Sequence, residues 1–141
     1  MTNHHQTLAA AAIAAKALSY SPYSNFQVGA AVLTPSGKIY TGCNIENAAY
    51  TPTNCAERTA IFKAVSEGEK TFTAIAIAGS PKGGEPNYCY PCGVCRQVIK
   101  EFAQDGTIEI IIAKTETDYK VHTLNELLPN SFGPADLGIF E

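Results

Sequence analysis

The stretch Cys55-Ala56-Glu57-Arg58-Thr59-Ala60-Ile61-Phe62-Lys63-Ala64-Val65-Ser66-Glu67 decides the fold. Its apolar residues Ala56, Ala60, Ile61, Ala64 and Val65 recur at helical spacing. Thr53-Asn54 precedes it as a cap, and Gly68 stands where a helix C-cap belongs. Next comes Thr71 to Ala78, a short apolar run suited to a buried strand. Cys92 to Phe102 returns to helical period through Val94, Val98, Ile99 and Phe102, and Thr107 to Ala113 is a strongly β-branched strand. Strands separated by helices predict an α/β sandwich, a mixed sheet covered by helices.

The flanks fit that frame. Thr7 to Leu18 is rich in Ala and Leu and has high helix propensity. Tyr20 to Asn25 breaks it, Phe26 to Leu33 reads as a strand, Pro35-Ser36-Gly37 as a turn, and Lys38 to Asn44 as the hairpin partner. Asn44 to Asn54 and Ser80 to Pro91 read as loops. Tyr119 to Thr123 is a further strand, Asn125 to Leu128 a last helical turn, and the tail from Pro129 is loop-like. Without an internal repeat, a low-complexity tract or a long linker, residues 1–141 read as one domain.

Composition narrows the function classes. The chain has 141 residues, 45% apolar and 16% charged, enough for one hydrophobic core. Net charge is -3 and the Lys and Arg residues are scattered, so no nucleic-acid partner is expected. No apolar run approaches the roughly 20 residues of a membrane span, and residues 1–16 lack the pattern of a signal peptide. The expected compartment is the cytoplasm, where thiols stay reduced. The five cysteines, Cys43, Cys55, Cys89, Cys92 and Cys95, then point to metal or catalysis before disulfides.

Pro91-Cys92-Gly93-Val94-Cys95 is a Cys-x-x-Cys that opens a helix. The free N–H groups and the positive end of the helix dipole favour thiolates there. Alone, this motif serves equally for a redox pair or half of a structural zinc site. Cys55 also opens a helix, and two helix N-termini can converge at one sheet edge. Three thiolates around one zinc leave its fourth position open, as in catalytic sites. Spacing leaves Cys43, Cys89, His4, His5 and His122 as candidates for a fourth ligand, with His4 and His5 in a terminus expected to fray.

Glu57, taken alone, forms a capping-box-like pair with Asn54. Beside a three-thiolate site it gains a second role, since a carboxylate there can move protons between water and a leaving amine. Zinc with three thiolates carries a formal charge of about -1 by addition of ionic charges. A cation bonded to sulfur offsets this, and Arg58 and Arg96 are both close in sequence to a ligand, with Arg58 favoured.

These residues carry a resemblance. Cys55-Ala56-Glu57 with Pro91-Cys92-Gly93-Val94-Cys95 matches the zinc-deaminase signature of a ligand, one residue, a Glu and a later Pro-Cys-x-x-Cys. Ser21 to Ala31, Gly42 to Ala48, Cys55 to Ala60, Cys92 to Gln97 and Leu127 to Pro134 resemble, in order, the segments of cytidine deaminases of the small homotetrameric type. The resemblance implies a three-layer α-β-α sandwich with a mixed sheet of about five strands. It implies one zinc ion per subunit, held by Cys55, Cys92 and Cys95, with Glu57 as the catalytic acid/base and Arg58 bonded to thiolate sulfur. Phe26 would pack on the pyrimidine, Asn44 and Glu46 would bind the ribose, and Ala56 and Cys92 would offer backbone groups. Phe132 would reach a base bound in another subunit of a homotetramer with shared active sites. The implied reaction is hydrolytic deamination of cytidine or deoxycytidine in pyrimidine salvage.

The sequence departs from the family at Tyr90, where Ser is common before Pro, at the extra thiol Cys89, and in the glycine-rich loop Ser80 to Asn87. A deaminase of another aminonucleoside, such as blasticidin S, is the nearest alternative. A non-catalytic zinc module or a thiol redox protein built on Cys92 and Cys95 is the alternative from another class.

Overall fold

The computed structural model of the chain describes residues 3–139. Five strands form one mixed sheet in the order β2-β1-β3-β4-β5. The strands are β1 (Phe26–Leu33), β2 (Ile39–Cys43), β3 (Ala74–Pro81), β4 (Glu109–Ala113) and β5 (Tyr119–Thr123). The β3–β4 pair is parallel and the other pairs are antiparallel. The helices are α1 (Asn3–Lys16), α2 (Ala56–Ser66), α3 (Gly93–Phe102) and the short α4 (Leu124–Leu127).

Strand alternation divides the core into two apolar layers. Ala30, Val32, Ile75, Ile77, Ile110 and Ile112 share one face with Ala56, Ala60, Ile61 and Ala64 of α2 and Ile99 of α3. Ala31, Ala74, Ala76, Ala78, Ile111 and Ala113 share the other with Leu8, Ala9 and Ala12 of α1. The result is α1, sheet, then α2 with α3: the three-layer sandwich. β4 carries apolar residues towards both layers, which is why its sequence is a run of isoleucines rather than an alternation. Each fully buried isoleucine contributes roughly 1.5–3 kcal/mol.

Connection handedness puts α2 and α3 in the same layer. β2, β3 and β4 run parallel, and α2 and α3 are the crossovers from β2 to β3 and from β3 to β4. Such crossovers are right-handed, so two that step the same way along a sheet lie on the same face. Both helices then start near the C-terminal ends of β2 and β3, after the loops 44–55 and 82–92.

Several boundaries differ from the sequence reading. β3 runs Ala74–Pro81 rather than Thr71 to Ala78, because its last residues still pair with Phe26 and Gln27 of β1. α1 begins at Asn3 rather than Thr7, because His4 and His5 are tied down: each places Nε2 on Oε1 of Glu109, at 2.8 and 2.9 Å. The tail is not all loop, since Pro134–Leu137 forms a 3-10 turn that ends on Gly138 in the left-handed region, φ 75°. Among the described residues, no helix is long and apolar enough to cross a membrane.

Gly29 sets the distance between α1 and the sheet. A Cβ there would lie 2.0 Å from the carbonyl oxygen of Ala12 and 2.5 Å from the amide nitrogen of Lys16, both backbone atoms of α1. Gly29→Ala must therefore lift the helix off its alanine-lined bed. We expect a loss of about 1–3 kcal/mol, typical of overpacking, seen as a melting temperature lower by several degrees. An unchanged melting temperature would contradict this packing.

Candidate metal centre and active site

α2 and α3 both begin on a cysteine. Cys55 is the N-cap of α2 and Cys92 the N-cap of α3, each in extended backbone. Cys95 lies in the first turn of α3 and is fully buried. The two helix starts meet, so that the Sγ atoms of Cys55, Cys92 and Cys95 lie within 4.8 Å of one another. Cys55 Sγ and Cys92 Sγ are 4.0 Å apart. Thiolates about 2.3 Å from a tetrahedral zinc lie about 3.8 Å from each other, so the observed spacing suits that ion. The Cys92 sulfur accepts from the Cys95 backbone N–H at 3.5 Å, leaving the helix N-terminus to support negative sulfur.

The expected fourth-ligand candidates are elsewhere. Cys43 donates to the Leu18 carbonyl at 3.3 Å. His122 pairs with the Tyr90 hydroxyl at 3.3 Å, and His4 and His5 face Glu109. Cys89 packs against Gly79 and Phe26, where a Cβ on Gly79 would meet its Sγ at 2.9 Å. Its thiol is pushed up to about 11 by burial and by the nearby charges of Glu57 and Cys55. Among the described residues the convergent thiols are thus three. This donor set fits one zinc ion per chain, with a fourth position left for a non-protein ligand.

Electrostatics agree with that donor set. Arg58 Nη2 donates to Cys55 Sγ at 3.3 Å. Hydrogen bonding from Cys95, then Arg58, outweighs the cost of burial and lowers the Cys55 thiol to about 5. The Cys95 thiol moves the opposite way, raised by the bond it gives to Cys55 and by burial. Arg58 Nε is buried without a hydrogen-bond partner among the described residues. Arg96 instead donates to the carbonyls of Pro91 at 2.8 Å and Leu127 at 2.6 Å, tying the Cys92 segment to α4.

Glu57 does not form the expected capping box. α2 starts one residue later than that pairing needs: the N-cap is Cys55, with no side-chain cap bond, and Asn54 donates to Thr59 Oγ1 instead. Glu57 is 4% exposed at the second helical position. Burial raises its carboxyl to about 7, with the Cys55 charge adding and the Arg58 charge opposing. A carboxyl in that range can accept or release a proton near neutrality.

The remaining expected residues divide between two places. Phe26 lies on Gly79 beside Cys89 and is 37% exposed. Ala56 is buried at the start of α2. Asn44 accepts from Ser19 Oγ and the Val28 N–H and donates to the Phe26 carbonyl, so its amide fixes the entry of β1. Ile45 exchanges both backbone bonds with Asn54, which anchors the 44–46 segment next to Cys55. Glu46 accepts from the N–H groups of Tyr23 and Ser24 and from the Ser24 hydroxyl, which holds it ionised below the usual range. It lines a cleft of about 370 Å³ with Tyr23, Tyr50 and Thr53. Phe132, by contrast, is 58% exposed beyond α3, its carbonyl held by Gln97 at 2.9 Å. Sequence reasoning did not single out Ser24 or Ser19. Their signal is local: short hydroxyl side chains in the turn Ser19 to Asn25, beside the start of β1.

A cavity of about 490 Å³ lies at the opposite end of the sheet among Phe72, Phe102, Ala103 and Ile108. Size alone does not mark the chemistry here. Removing one thiol should empty the metal site. Cys92→Ala should fold, because Cys92 is exposed, yet bind less than stoichiometric zinc by elemental analysis. A metal-replete Cys92→Ala protein would overturn the ligand set.

Comparison with known proteins agrees with this geometry. The family described as the cytidine and deoxycytidylate deaminase zinc-binding region matches residues 2–111. The cytidine deaminase of Sporosarcina psychrophila is 48% identical over 123 residues, 87% of each chain. That of Halalkalibacterium halodurans is 46% identical over 132 residues, covering 94% of this chain and 96% of the relative. The crystal structure of cytidine deaminase from Burkholderia pseudomallei superposes with a TM-score of 0.81 at 44% identity, over 94% of this chain and 100% of that one. With three cysteines gathered at two helix starts and a buried glutamate beside them, the chain belongs to the cytidine and deoxycytidylate deaminase zinc-binding family.

Proposed function

We propose that this chain is a zinc-dependent hydrolase that converts cytidine or deoxycytidine, with water, to uridine or deoxyuridine and ammonia. The observation that carries the reading is the buried Glu57 on the same helix start as the Cys55, Cys92, Cys95 cluster. Zinc held by those sulfurs supplies Lewis-acid activation of the attacking water. Glu57 takes the proton from that water and delivers it to N3 of the base, which makes C4 electrophilic. After the oxygen of that water bonds to C4, Glu57 takes its remaining proton and passes it to the amine; the C4–N bond breaks, ammonia leaves and C4=O forms. One carboxyl can do both because it lies in a buried site that makes its two protonation states close in energy.

The other residues bind and orient. Phe26 packs on the pyrimidine ring, and the start of α2 at Ala56 and of α3 at Cys92 offers backbone groups to it. Asn44 and Glu46 address the ribose, with Glu46 preset as an acceptor by the Tyr23 and Ser24 N–H groups. Arg58 keeps the three-thiolate site from carrying uncompensated negative charge. The exposed apolar tail, Phe132, Leu137 and Ile139, supports a homotetramer in which Phe132 completes a neighbouring subunit's site. A reducing cytoplasm suits a site built from thiolates.

Zinc-quantified protein incubated with cytidine, deoxycytidine, adenosine and blasticidin S should release ammonia from the first two. Glu57→Ala should keep its zinc and lose at least about 10²–10⁴ in rate, the scale of a positioned acid/base. Near-normal turnover by that variant would refute the role given to Glu57.

A further inference from the structure

Outside the thiol cluster, the described residues bring together another set of metal-ligating side chains. His4 and His5 in the first turn of α1 and Glu109 at the start of β4 place three donor atoms within 4.8 Å of one another. Each histidine Nε2 lies on the same carboxylate oxygen, at 2.8 and 2.9 Å. The rings are not free to swing: His5 is only 13% exposed, stands edge-on to Tyr119 with centroids 5.8 Å apart, and is met edge-on by His4 at 4.3 Å. Neither histidine touches the thiol cluster: both face Glu109. The cluster sits at the N-terminal end of β4, whereas the thiols sit beyond the C-terminal end of the neighbouring parallel strand β3.

We propose that His4, His5 and Glu109 form a second metal site, which takes a divalent transition-metal ion of the Zn²⁺, Ni²⁺ or Co²⁺ kind and clips α1 to β4. The donors decide the class of ion. Two imidazole nitrogens and one carboxylate oxygen suit these ions, whereas Ca²⁺ and Mg²⁺ prefer oxygen alone. The spacing is also right. Ligands about 2.1 Å from an ion lie at most about 4.2 Å apart across it, and the three donor atoms already lie within 4.8 Å of one another. Coordination through Nε2 replaces the two contacts to Glu109 Oε1 and leaves Nδ1 of each ring to carry a proton. The anionic ligand is in place as well: burial opposes ionisation of Glu109, but the bonds from His4 and His5 outweigh it and hold the carboxyl below its usual range. That negative charge offsets the positive end of α1. His4 and Glu109 are more than a third exposed, so water can reach the ion and complete its shell.

The test uses the whole protein with one zinc bound per chain, titrated with Co²⁺. A second equivalent should bind with weak d–d absorption and no sulfur-to-metal charge transfer, and the melting temperature should rise. His5→Ala and Glu109→Gln should each lose the second equivalent and the rise in melting temperature while keeping the first metal and the deaminase activity. Binding that stops at one ion per chain, or a second equivalent that survives in both variants, would overturn the proposal. Glu109→Gln keeps a hydrogen-bond acceptor for the histidines, so its loss of metal cannot be put down to a frayed helix.

Discussion

Two helices that start on cysteines, and start at the same place, are the constraint on which the rest of this structure depends. Their meeting is a consequence of topology. Right-handed crossovers from β2 to β3 and from β3 to β4 lay α2 and α3 on one face, with both N-termini beyond the C-terminal ends of parallel strands. Ligand sites of open α/β sheets gather at that edge for the same reason. Here the edge receives Cys55 from one loop and Cys92 from another, and the first turn of α3 adds Cys95.

Charge balance then shapes the neighbourhood. Three thiolates exceed the charge of one zinc ion, and the excess is met by the two helix N-termini and by Arg58. Glu57 sits in the same field but is buried, and burial dominates its protonation. Its own burial therefore keeps the Glu57 carboxyl from being a permanent anion beside the thiols. Cys89 and Phe26 pack on Gly79 of β3.

Much of the fold was legible because the sequence patterns were strong. The isoleucines of β4 and the helical spacing of α2 and α3 leave little choice of secondary structure. The meeting of the three thiols was legible for a different reason: Pro-Cys-x-x-Cys and Cys-x-Glu each sit at a helix start, where their spacing has geometric meaning. What escaped was decided by contacts distant in sequence. His4 and His5 looked like a frayed end because Glu109, their partner, lies 105 and 104 residues away. Asn54 looked like a cap because sequence cannot say whether a helix starts at the asparagine or one residue later. Cys55 takes the cap position, and that shift places Glu57 in the interior. Of the two arginines near a ligand in sequence, Arg58 was favoured for the sulfur. The packing of α3 against α4 sends Arg96 to the Pro91 and Leu127 carbonyls and leaves Arg58 for the sulfur.

The coordination sphere itself is the most direct test. X-ray absorption on protein loaded with one equivalent of zinc should report three sulfur scatterers at about 2.3 Å and a single oxygen or nitrogen at about 2.0–2.2 Å. Four sulfurs, or a sphere made mainly of nitrogen and oxygen, would contradict an open three-thiolate site at the start of α2 and α3.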